Sequence, residues 1–211
     1  MLNSVRLFST KQMGSKERIQ RQKEDTRQGI LNAALQIVKQ EGWAALSMRK
    51  IADVIEYTAP IIYEYFPNKE GILLELTRQG YINLGLKVKA ARDSKTDNEE
   101  RLEAMWLAYW NFAFEESEFY QLMYGVQVNC CELYKKMPEA EYTTDLFYDA
   151  IEVLLIKQPV SEDTSCLKYY TFWSLIHGLI SLNLVQKGAN DQINQEILRS
   201  AIKAIIKTIN D

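Results

Sequence analysis

Residues Ser47 to Phe66, SMRKIADVIEYTAPIIYEYF, constrain the fold more than any other part of the chain. A serine ahead of an apolar pattern is a helix start signal, because its hydroxyl accepts from backbone N–H groups that the first turn leaves without partners. Met48, Ile51, Ala52 and Ile55 follow at helical spacing and make one apolar stripe. Glu56 and Tyr57 interrupt it. Thr58 offers a second cap, and Pro60 fits the first turn of a following helix, where a missing N–H costs little. Ile62 and Phe66 lie four apart and can face inward, which turns Ile61, Tyr63 and Tyr65 elsewhere. Pro67 closes the unit, and Asn68 can cap a helix running on through Lys69-Glu70. The pattern predicts helix, tight turn, helix, with side chains that suit a DNA surface better than an active site.

Further residues fall into the same register: Thr26-Arg27, Ile30, Ala33-Ala34, Gly42, Ser47, Ile51-Ala52, Thr58, Tyr63, Phe66, Pro67 and Lys69. Through them, residues 24–84 resemble the DNA-binding domain of the TetR family, the tetracycline-repressor-like bacterial regulators. The chain departs from that family at two positions. The family usually has a small residue, often Gly, where Glu56 stands, so a left-handed turn there is mildly strained. It often has His at the position of Tyr65, whose hydroxyl can still donate to a phosphate. The resemblance implies an all-α protein with an N-terminal three-helix helix-turn-helix domain at 24–84 and a larger helical ligand-binding and dimerisation domain at 85–211. Residues 1–23 are expected to form a flexible arm. Both Met1 and Met13 are reasonable natural starts.

Composition fits a two-domain regulator. Of 211 residues 47% are apolar, enough for a core, and no apolar run approaches the roughly 18 residues that would cross a membrane. The net charge of −3 hides an asymmetry: residues 1–70 hold 11 Lys/Arg and 8 Asp/Glu, while 71–211 hold 14 and 20. The basic balance therefore lies with the helix-turn-helix, and phosphate attraction needs only a local patch. In the arm, Lys11, Lys16, Arg18, Arg21 and Lys23 are diluted by Glu17, Glu24 and Asp25. They suit either a contact with the DNA backbone or minor groove, or a solvated helix start. Cys130, Cys131 and Cys166 read as free thiols, with a redox role as the alternative. No metal-ligand spacing is present, and no metal or cofactor is expected. These features predict a cytoplasmic protein.

Periodicity gives helices throughout and no convincing strand: one to about Glu41 with Gly42 as its stop, two short ones, then Lys69 to Arg92, Glu99 to Glu115, Glu118 to Val126, Glu139 to Lys157, Glu162 to Lys187 and Gln192 to Ile209. In a helix-turn-helix the second helix enters the major groove. Here it leads with Ala59, Pro60, Ile61 and Tyr63 and lacks Arg, Lys, Asn and Gln, the usual bidentate base readers. Ile61 suits thymine methyl groups, and Arg49 is the best base reader. Tyr63, Tyr65 and Lys69 match positions that contact phosphates in the family. Thr26, Ser47, Met48 and Thr58 complete the expected DNA-binding set. Packing within the head is the alternative for Tyr63 and Tyr65.

The second domain concentrates aromatic residues. Trp106, Trp110 and Phe114 recur every four residues, and such a stripe either fills a core or lines an apolar cavity. For a cavity, Tyr109, Tyr124, Tyr170 and His177 are the polar handles, and Trp173 joins them. The segment FWSLIHGL at 172–179 resembles a Trp-x-x-x-His-Gly signature of one C-terminal subgroup of the family; His177 is either a ligand contact or a satisfied core residue. Ser174, Gly178 and Ser181 share a face on which another backbone can come close. Ile193, Ile197, Ala201, Ala204, Ile205 and Ile209 stripe the last helix. The family dimerises through a four-helix bundle of these two helices from each subunit; closure of the monomer core is the alternative. The resemblance thus implies a homodimeric repressor that leaves a palindromic double-stranded DNA operator when a small apolar or aromatic effector binds. The competing readings are a helical small-molecule-binding or protein-interaction module whose DNA binding has decayed, and an enzyme, for which no nucleophile-and-base pair or phosphate-cradling loop is visible.

Overall fold

The structure is a computed structural model and describes residues 14–125, 137–155, 162–186 and 190–210. Among them every regular element is helical: α1 (Ser15–Glu41), a single 3₁₀ turn (Trp43–Ala45), α2 (Met48–Val54), α3 (Ala59–Tyr65), α4 (Lys69–Asp93), α5 (Asn98–Glu115), α6 (Ser117–Tyr124), α7 (Pro138–Leu154), α8 (Glu162–Gln186) and α9 (Asp191–Asn210). None of these helices is long and apolar enough to cross a membrane.

Local chemistry sets the boundaries. Ser47 Oγ accepts from the Lys50 N–H at 3.2 Å, Asn68 Oδ1 from Gly71 at 2.9 Å, and Asp97 from Glu99 and Glu100 at 2.9 and 3.0 Å, capping α2, α4 and α5. Thr58 caps α3 with its backbone carbonyl alone, which accepts from Ile61 at 3.0 Å; its hydroxyl makes no capping bond. Gly42 ends α1 at φ 80° and ψ 170°, a conformation nearly confined to glycine, and its N–H reaches the Val38 carbonyl at 2.8 Å. At the other end, α1 begins at Ser15, so residues 15–23 of the expected arm are helical. There Glu17 accepts from the Gly14 N–H at 3.1 Å, and the following basic residues lie exposed on the helix. Lys11, Cys130 and Cys131 lie outside the described residues, whereas Cys166 is a free, half-buried thiol.

The chain separates into two compact units, Met1–Ile72 and Leu73–Asp211. In the first, Ile30, Leu31, Ala34 and Ile37 of α1 bury against Leu46, Ile51, Ile62, Phe66 and Ile72. Full burial of a side chain such as Ile30 or Ile62 stabilises by about 1.5–3 kcal/mol. Arg27 lies 4.9 Å over the Phe66 ring and adds a cation–π contact. In the second unit, Trp106, Tyr109, Phe112 and Phe172 form an aromatic centre flanked by Phe147, Ile176, Leu198 and Ile202. The division falls earlier than the boundary at 84 suggested by sequence. Past Ile72, α4 is held by second-unit partners: Tyr81 packs edge-on to Tyr124 at 6.2 Å, and its carbonyl accepts from Thr143 Oγ1 at 3.2 Å.

Candidate functional site

The first unit displays its helix-turn-helix side chains in two classes. Ser47, Arg49, Thr58, Pro60 and Tyr63 are exposed, with Tyr63 at 52%. Thr26, Ala59, Ile61, Tyr65 and Lys69 are half-buried. Met48 is not available to a DNA surface, because it is 8% exposed and packs with Ile51 and Ala52 in the core. Thr26 donates its hydroxyl back to the Gln22 carbonyl at 2.9 Å, and Lys69 Nζ donates to the Trp43 carbonyl at 3.4 Å. The motif also exposes Val54 and Tyr57 and the carboxylates of Asp53, Glu56 and Glu64, none of which is in the DNA-binding set expected from the sequence. Carboxylates beside a DNA surface repel phosphates but can accept from cytosine N4.

The turn between α2 and α3 hinges on Glu56, at φ 58° the sole non-glycine with positive φ among the described residues. The Tyr57 N–H closes the turn on the Ala52 carbonyl at 2.9 Å. A left-handed conformation crowds the Cβ of an L-residue, so the turn has the geometry a glycine would adopt more easily.

The second unit holds a cavity of about 510 Å³. Helix α4 contributes Tyr81, α6 Tyr124, α7 Glu141, Thr144, Asp145 and Tyr148, and α8 Tyr169, Tyr170, Trp173 and His177. Four of the expected ligand residues are therefore brought together: Tyr124, Tyr170, Trp173 and His177. The other four are not. Trp106 and Tyr109 are core, with Trp106 stacked on Phe172 at 5.3 Å and tilted against Phe147 at 4.1 Å. Trp110 and Phe114 border a separate hollow of about 290 Å³ with Asn183 and Asn194. The stripe on α5 thus runs from core to surface instead of along the cavity.

Hydrogen bonding and burial tune the cavity. The Tyr120 hydroxyl and His177 Nδ1 are 2.5 Å apart. Burial lowers the His177 pKa below its ordinary value and raises that of Tyr120, so both are neutral near pH 7. The pairing of stronger acid with stronger base then has the hydroxyl donating to Nδ1, which leaves the proton on Nε2. Burial also raises Tyr124 and pushes Tyr169 up to about 12. Trp173 lies parallel to His177 at 4.7 Å, so the two residues of the Trp-x-x-x-His segment form one wall.

The surface expected to associate is partly exposed. On α8, Ser174 and Gly178 are exposed and Ser181 is half-buried, and a Cβ added at Gly178 would meet nothing within 4 Å in its own chain. Around them Leu167, Leu175, Leu182 and Val185 are exposed, Val185 at 81%. Of the α9 residues, Ile197 is exposed and Ala201 half-buried, but Ile205 is turned inward at 8% and packs in the unit's core with Ile202 and Ile206.

Residues 30–76 match the family model of bacterial regulatory proteins of the tetR family, and residues 102–205 match that of the tetracyclin repressor-like C-terminal domain. The chain joins a TetR-family N-terminal domain to a TetR-like C-terminal domain. Both models describe regulators and not enzymes. Among curated proteins, it is similar to the HTH-type transcriptional activator FasR of Mycolicibacterium smegmatis, with 31% identity over 112 residues. That match covers 53% of this chain and spans about half, 51%, of the relative's length. Among solved structures, a protein of unknown function from Rhodococcus sp. RHA1 superposes with a TM-score of 0.75 at 17% identity, covering 97% of this chain and 100% of that one. The fatty acid degradation regulator FadR from Bacillus halodurans gives 0.65 at 19% identity, covering 94% and 96%. At such identities the likeness establishes the TetR-type fold alone. The matched TetR-like C-terminal segment includes the α7 and α8 residues that line the cavity.

Proposed function

We propose that this protein is a ligand-responsive regulator of transcription that binds a palindromic double-stranded DNA operator as a homodimer and represses from it. The observation that carries the reading is the pairing of two devices on one chain: a helix-turn-helix that exposes Arg49, Pro60 and Tyr63, and a separate unit with a cavity of about 510 Å³. Ligand pockets commonly measure about 300–1,000 Å³ and join aromatic walls to a few polar groups.

Arg49 reads a base edge, Ile61 packs on thymine methyl groups, and Tyr63, Tyr65 and Lys69 hold phosphates. Trp173 and His177 serve as the ligand-facing residues of the Trp-x-x-x-His-Gly segment, a role their place in the cavity wall supports. The exposed leucines of α8 and Ile197 of α9 pack against their copies, setting two heads against half-sites about 34–36 Å apart. Effector and operator then favour different conformations of the dimer, and each weakens the other's binding. Such a regulator works in the cytoplasm.

The test is enrichment of genomic fragments on the purified protein, followed by anisotropy titration of the best fragment at two salt concentrations. A palindromic site whose affinity falls steeply with salt supports the reading. Failure to enrich any fragment at low salt, from protein shown by mass spectrometry to hold no ligand, overturns it. A second reading, activation, is favoured by the name of the curated relative. The position of the enriched site relative to its promoter separates the two.

A further inference from the structure

We propose that the effector of this cavity is an organic cation, a quaternary ammonium or protonated amine carried on an apolar body. The inference rests on the ligand-responsive reading above and names the class of molecule the cavity takes.

Among the described residues its charged lining has one sign. Glu141 and Asp145 stand one turn apart on α7 and face the same side of it. Among the described residues no Lys or Arg lines the cavity, and burial lowers the pKa of its imidazole, His177, so that it is neutral near pH 7. Among the described residues neither carboxylate has an ion-pair partner. The salt bridges there join other residues, such as Arg78 with Glu75 and Glu139.

The walls have the matching chemistry. Tyr169 and Tyr170 meet at 80° with centroids 5.4 Å apart, and Tyr170 meets Trp173 at 83° and 6.2 Å. Rings set at right angles make corners in which a rounded cation touches one π face and lies beside another. Aromatic faces are the negative part of the ring quadrupole, so a cation gains from each face that it covers. The hydroxyls of Tyr124 and Tyr169 remain protonated and add no anion of their own: burial raises Tyr124 and pushes Tyr169 up to about 12. A carboxylate or phosphate head in the same place would meet two carboxylates and the negative faces of the rings, with no basic side chain among the described lining residues to offset them. The apolar body of the cation is left to the remaining ring surface of Tyr81, Tyr124 and Tyr148.

Three probes of equal chain length and different charge test this on the full-length protein by titration calorimetry below their micelle-forming concentrations: decyltrimethylammonium, decan-1-ol and decanoate. The cation should bind at least about tenfold more tightly than the alcohol, and the alcohol more tightly than the acid. The double variant Glu141→Gln/Asp145→Asn, which changes only exposed side chains, should bring the cation down to the alcohol's affinity. Trp173→Leu should weaken the cation and leave the alcohol little changed. Rising salt should weaken the cation alone. Decanoate as the tightest ligand, a double variant with unchanged cation affinity, or no binding by any probe would each overturn the proposal. Repeating the titration with operator DNA present separates it from the regulator reading. If the cation binds but leaves DNA affinity unmoved, the ligand class stands and the ligand-responsive regulator falls.

Discussion

Asn183 and Asn194 exchange hydrogen bonds between α8 and α9: the Nδ2 of each donates to the Oδ1 of the other, at 3.2 and 2.7 Å. Asn194 is 4% exposed and Asn183 half-buried, and the polar pair fixes the two helices at one register. Substituting Asn194→Leu leaves an amide of Asn183 short of partners and should cost about 1–3 kcal/mol in urea unfolding. Replacing both by Leu should cost less than the sum of the single changes, because no stranded partner remains. Additive losses would show that the pair contributes nothing as a pair.

At the turn, Glu56→Gly should stabilise the first unit. The left-handed backbone costs an L-residue about 1–2 kcal/mol, and glycine returns about 0.5–1 kcal/mol of that as lost chain entropy. A net gain of about 0.5–1 kcal/mol is expected as a higher unfolding midpoint. A lower midpoint would mean that the glutamate side chain holds the turn in a way that outweighs its backbone.

For DNA, Arg49→Ala should cost about 1–3 kcal/mol at one base position and relax the preference there. Lys69→Ala should weaken every sequence alike and flatten the salt slope. In the free protein Lys69 reaches the Trp43 carbonyl, so the same change should also lower the unfolding midpoint slightly. Uniform losses in both variants would remove Arg49 from base reading.

Acid should destabilise the second unit through His177. Its folded pKa is lowered by burial, below the ordinary 6.5 of the unfolded chain. Between those two values the unfolded chain binds a proton that the folded chain refuses, so stability is full above about pH 6.5 and declines as pH falls through the folded value. Protonation also makes Nδ1 a donor facing the Tyr120 hydroxyl. The urea midpoint should drop from pH 7.5 to pH 5.5, and drop less in His177→Phe. Equal drops would assign the acid sensitivity to other groups.

Association should fail in Leu182→Glu. Leu182 is exposed on α8, where a carboxylate costs a lone chain little but would be desolvated in a dimer. Sedimentation should show a monomer with a native-like helical spectrum and weakened operator binding. A variant that still dimerises would move the interface elsewhere.

How much of this was legible before the structure depends on what each feature needs. Helix ends are local: Ser47, Asn68 and Gly42 carry their own capping chemistry, and α4 and α5 start and stop within a residue of their expected bounds. The helix-turn-helix is legible because its positions form one short register. Cavity membership is not local. Tyr81, Tyr148 and Tyr169 come from three helices and share no period, so nothing in the sequence groups them. The regular α5 stripe was conspicuous for the same reason that it misled: a strict period shows a shared helix face, and on α5 that face leads into packing with Phe147 and Phe172. Ile205 differs from Ile197 only by which side of α9 meets the core, and a broad apolar stripe does not say where burial stops.

The open space at Gly178 gives the molecule a position with two opposite signatures. Within one chain, alanine there removes the entropic penalty of a mid-helix glycine and meets no neighbour, so it should raise the unfolding midpoint. Against a closely apposed second backbone, the added methyl group instead pushes two subunits apart. The same atom thus acts as a gauge that reads positive for an isolated chain and negative for an assembled one. Dilution, which changes only how many chains are assembled, should reverse its sign.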